Sequence, residues 1–132
     1  MDVMPVRSEE LGVQNEWYEE GVENAVWKDI GPFEIRVFSP PYLLADKINA
    51  FRDRGGGDYY GSPDFEDIVR LVDGGSDLVD QVRDGNEKVC EYIQEWVNQF
   101  LEEQKPGVFI RAHIRQRGRA EIILDRLRKI VR

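Results

Sequence analysis

The chain has 132 residues with one cysteine, one histidine and a net charge of −8 at pH 7. A hydrophobic share of 41% against 33% charged residues predicts one packed core and excludes disorder throughout. The same composition excludes an intrachain disulfide and a Cys/His zinc centre. With no apolar run near the roughly 18 residues of a bilayer span and no signal-peptide pattern in MDVMPVRSEE, the expectation is a cytoplasmic protein with no membrane partner.

Met1 to Val6 alternates weakly and stops at Pro5, which reads as a short strand. Ser8 to Gly21 is acidic and aromatic, with Trp17 expected to pack. Ala25 to Ile30 and Phe33 to Phe38 read as a hairpin around Gly31-Pro32, because Phe33, Ile35 and Val37 alternate. Ser39-Pro40-Pro41 ends the strand and opens a helix, where prolines need no amide partner. In that helix Leu43, Leu44, Ile48 and Phe51 form an apolar stripe, with Lys47 and Arg54 beside it. Gly55 to Gly57 break it as a flexible turn. They lack the Gly-Lys-Ser/Thr of a phosphate loop, although they could let Asp58 and Tyr59 lie over a nucleotide.

Ser62 and Pro63 read as N-cap and N1 of a second helix, in which Phe65, Ile68, Val69 and Val72 face a core while Asp64 and Asp67 lie one turn apart on another side. A short helix is expected from Asp77 to Arg83. From Glu87 to about Gln104, Val89, Ile93, Trp96, Val97, Phe100 and Leu101 fall at helical spacing, and Trp96 and Phe100 are read as core. Cys90, within this pattern, is expected to be an inert, partly buried thiol. Pro106-Gly107 breaks the run, Val108 to Ile114 reads as a short helix, and Arg119 to Val131 as a last one burying Ile123, Leu124, Leu127, Ile130 and Val131. His113, among Arg111, Arg115 and Arg117, is read as exposed and inert. Residues 111–132 hold eight Lys/Arg against Glu121 and Asp125, so an acidic body carries a basic tail. Neutralisation within the chain or between subunits is the favoured role for that tail, ahead of phosphate binding.

The run Leu44-Ala45-Asp46-Lys47-Ile48-Asn49-Ala50-Phe51, then Arg54, Gly57-Asp58-Tyr59 and Pro63-Asp64-Phe65-Glu66-Asp67-Ile68, resembles the AbiEii/AbiGii-type nucleotidyltransferases. These belong to the polymerase-β superfamily and are often the toxin of a toxin-antitoxin pair. The resemblance covers roughly Asp2 to Val72. It implies Lys47 and Asp67 as catalytic residues, Lys47, Arg54, Asp64 and Asp67 as nucleotide contacts, and Asp2 as one ligand of Mg²⁺. The family's preceding G-[GS]…D-x-D carboxylates have no counterpart here. A two-metal centre needs several carboxylates to hold ions about 4 Å apart, so Asp2 alone makes a weak, incomplete site.

The expected fold is therefore α+β, one domain over 1–132. Residues 1–38 are read as the strand-rich remnant of a nucleotidyltransferase sheet, and residues 39–132 as four to six helices against a small, mostly antiparallel sheet. The expected function is that of a truncated, AbiEii-like protein that binds an NTP or serves as a scaffold without catalysing transfer by itself. Two alternatives stand beside it: an active toxin nucleotidyltransferase whose amino-terminal part is missing from this chain, and a non-enzymatic dimerisation or RNA-binding module. Partners expected on these readings are a nucleotide, a second copy covering the open sheet, and RNA or an antitoxin.

Overall fold

The computed structural model describes Gly21, the backbone of two short strands, and residues 39–132. Strands β1 (Val26–Ile30) and β2 (Phe33–Val37) pair antiparallel, with Val26 opposite Val37 and Ile30 opposite Phe33. Six helices follow: α1 (Pro40–Arg54), α2 (Pro63–Gly74), α3 (Leu78–Asp84), α4 (Glu87–Leu101), α5 (Pro106–Arg111) and α6 (Arg119–Val131). The expected strand at Met1–Val6, with Asp2, and the packing of Trp17 lie outside the described residues.

The α+β expectation is overturned: the fold is helical. The buried cluster is built from helix residues, with no sheet layer under them among the described residues. The physical reason is that each helix finds another helix for its apolar stripe. Helix α1 packs on α2, α3 and α4, and α6 packs on α2, α3, α4 and α5.

Local sequence accounts for most helix ends. Pro40 and Pro41 fill the first positions of α1, and the Leu43 amide donates to the Ser39 carbonyl at 3.1 Å. Helix α1 buries Tyr42, Leu43, Leu44, Ala45, Asp46, Ile48, Ala50 and Phe51, which wrap most of its circumference. Ser62 caps α2, its hydroxyl accepting from the Phe65 amide at 3.3 Å, and Asn86 caps α4 through the amides of Lys88 and Val89. Helix α5 starts earlier than expected, because Pro106 opens the helix instead of breaking it. Gly56 and Gly57, at φ 58° and 78°, allow the reversal between α1 and α2.

The core is aromatic at one end. Phe65 of α2 lies 5.7 Å from Phe51 of α1, 6.3 Å from Trp96 and 5.4 Å from Phe100 of α4, and 5.0 Å from Tyr59 in the α1–α2 turn, all between ring centroids. Tyr59 stacks in turn on Phe109 of α5 at 4.6 Å. At the other end, side chains close the helix termini. Arg126 Nη1 donates to the carbonyls of Val72 and Asp73, both at 2.7 Å, and Arg119 holds the Asp73 carboxylate and carbonyl, so two cations of α6 cap the carbonyl end of α2. Arg83 and Gln94 do the same for α6, at the carbonyls of Lys129 and Ile130. Among the described residues, no helix is long and apolar enough to cross a membrane.

Replacing Phe65 by Ala should cost about 3–5 kcal/mol of stability, since a ring 1% exposed is removed from a close-packed cluster. Urea denaturation measures it. On the same assay Arg126→Ala should cost about 1–2 kcal/mol, since the Val72 carbonyl loses its side-chain donor and the Asp73 carbonyl keeps only Arg119. Arg128→Ala, on the exposed side of the same helix, should stay within about 0.5 kcal/mol.

Candidate functional site

Four of the five expected site residues lie on α1 and α2, and the structure sorts them into two ion pairs. Lys47 Nζ lies 3.0 Å from Asp67 Oδ2. Arg54 grips Asp64 with two parallel bonds, Nε to Oδ2 at 2.9 Å and Nη2 to Oδ1 at 3.0 Å. Along the two helices the pairs run in opposite order: advancing from Lys47 to Arg54 on α1 means stepping back from Asp67 to Asp64 on α2. Asp64 also sits in the first turn of α2, where the helix dipole favours a carboxylate.

The pairs differ in their access to ligand. The Lys47 and Asp67 side chains are 16% and 34% exposed, so this ammonium and carboxylate can meet a solute. Asp64 is buried at 4% under an Arg54 that is 57% exposed. Asp64 is thus no open nucleotide contact: both its oxygens are taken by Arg54. The hydrogen bond to Asp64 raises the Arg54 guanidinium above its already high value, against a smaller opposing effect of burial. An open cleft of about 230 Å³ runs past this pair, lined further by Gly55, Asp58, Gly61 and Ser62.

The turn between the helices is organised for packing. Asp58 Oδ1 accepts from the amides of Tyr60 at 3.2 Å and Gly61 at 2.9 Å, which folds the turn on itself. Tyr59, which the glycine turn could have let lie over a nucleotide, inserts its ring among Phe51, Phe65, Phe100 and Phe109. Burial raises its phenol pKa, and the nearby Glu103 carboxylate adds to the rise. His113, read as exposed and inert, is half-buried, with Nε2 at 2.7 Å from the Tyr59 carbonyl and its ring edge-on to Phe65. Separated by 54 positions, the two residues leave no local signal of this contact in the sequence.

The Mg²⁺ implied by the resemblance can be tested against this donor set. Asp64 is committed to Arg54 and Asp67 to Lys47, and among the described residues no three His, Cys, Asp or Glu side chains converge on a common point. These residues do not by themselves fit a two-metal centre, and Asp2 lies outside them. Cys90 is half-buried; burial raises its thiol pKa, with Glu91 and Glu87 adding to the rise and Arg83 opposing it. The charge asymmetry also has a different centre from the one expected. Residues 39–132 hold 15 Lys/Arg against 17 Asp/Glu, while residues 1–38 hold 3 against 9, so the helical body is close to neutral. In the basic tail Arg119 and Arg126 are used as caps, Lys129 pairs with Asp125 at 3.0 Å, and Arg111 lies 3.8 Å from Glu121.

No protein-family model, curated protein or solved structure matches this chain.

Removing Arg54 strands a buried carboxylate. Arg54→Ala should therefore destabilise by about 1–3 kcal/mol, the lower part of the range for a broken pair because the guanidinium is more than half exposed. Adding Asp64→Asn should restore part of that loss in a double-mutant cycle followed by urea denaturation. Tyr59 gives a test in pH. Its folded pKa is raised, so its contribution to stability is present in full below about pH 10 and is lost as pH rises through the folded value. Stability measured across this alkaline range should fall less in Tyr59→Phe than in the parent chain.

Proposed function

We propose that the chain is a nucleotidyltransferase-like protein whose helical part contacts a nucleotide through Lys47 and does not by itself complete the transfer chemistry. The observation carrying this reading is the Lys47–Asp67 pair, a part-exposed ammonium held at 3.0 Å by a carboxylate from the neighbouring helix. Lysine acts on a phosphate as a point charge, and a carboxylate that fixes its direction limits the rotamer freedom it loses on binding. Asp67 is the positioning partner in this reading, and Arg54 offers a second cation at the cleft mouth while it keeps Asp64 neutralised. The likeness of the Leu44–Phe51 and Pro63–Ile68 segments to AbiEii/AbiGii-type enzymes supports the assignment of class. An antitoxin or RNA partner and Mg²⁺ belong to the same proposal, with Asp2 as the metal contact; toxin activity belongs to the separate alternative of an active enzyme, which would need the carboxylates of the family's G-[GS]…D-x-D motif. Mg²⁺ bound with the nucleotide would neutralise phosphate charge.

A specific observation favours a second reading, that of a non-catalytic scaffold. Both cations already have carboxylate partners across the α1–α2 contact, so both pairs brace the helices with no ligand present. A phosphate would compete with Asp67 for Lys47.

Calorimetry with each NTP and Mg²⁺ separates the two. The nucleotide reading expects a Kd on the order of tens of micromolar or weaker, about −6 kcal/mol, lost in Lys47→Ala and kept in Arg70→Ala. Lys47→Ala should remain folded, since the Asp67 carboxylate it leaves unpaired is about a third exposed and can be hydrated. No heat with any NTP leaves the scaffold reading. Transfer of label from an NTP to tRNA or protein acceptors would overturn the statement that the chain is not catalytic by itself, and its loss in Asp2→Ala would assign the metal contact.

A further inference from the structure

We draw no further inference here: the strongest candidate, the surface patch where exposed Tyr60 packs edge-on against Phe109 of α5, carries nothing because nothing in the structure shows what covers it.

Discussion

The contact between Phe65 and the rings around it holds this molecule together. One side chain in the first turn of α2 touches aromatic rings from α1, the α1–α2 turn and α4, and through Tyr59 it is linked to α5. Aromatic pairs at these separations add to the area they bury, because the positive edge of one ring meets the negative face of another. The cluster also settles where α2 begins. Ser62 caps the helix and Pro63 opens it, so Phe65 arrives at a fixed depth and brings Asp64 and Asp67 to fixed heights on the α1 face. Both ion pairs of the candidate site depend on that placement.

Polar groups follow the same economy away from the cluster. Helix ends carry carbonyls with no partner in their own helix, and here side chains from elsewhere in the chain supply donors: Arg126 and Arg119 for α2, Arg83 and Gln94 for α6. The caps are reciprocal in space, α6 closing α2 while α3 and α4 close α6. The basic residues near the end of the chain are in part consumed by this capping, while the 17 Asp/Glu of residues 39–132 balance their 15 Lys/Arg. A cation that holds a helix end is a poor candidate for recognising an outside phosphate, because moving it would expose the carbonyls it satisfies.

The candidate site shares this double use. Lys47 and Asp67 are accessible enough to meet a ligand and close enough to stabilise the helix pair without one. Arg54 and Asp64 lean further towards structure, because the carboxylate is buried and both its oxygens are occupied. The part of the nucleotide proposal that rests on geometry is therefore narrow, a single oriented ammonium. The chemistry that would make it an enzyme requires carboxylates that these helices do not bring together.

Helical spacing and punctuation by themselves determined most of the helices and their buried faces, with α5 starting two residues early and Val131 only half-buried as the exceptions. Phe65, Ile68, Val69 and Val72 on α2, and Val89, Ile93, Trp96, Val97 and Phe100 on α4, are buried as their periodicity requires, and α6 runs over the residues its stripe predicts. These features are local, set by side chains three or four positions apart and by caps one turn away, so a linear reading reaches them. The layer against which the helices pack was not legible, because an apolar stripe does not say whether a sheet or another helix will cover it. Only the tertiary structure decided that helices cover helices. It also decided that Arg54 takes Asp64 out of the open site, that Tyr59 goes inward, and that His113 meets the Tyr59 carbonyl, since the partners Asp64, Phe100, Phe109 and His113 come from elements whose position depends on where the chain returns.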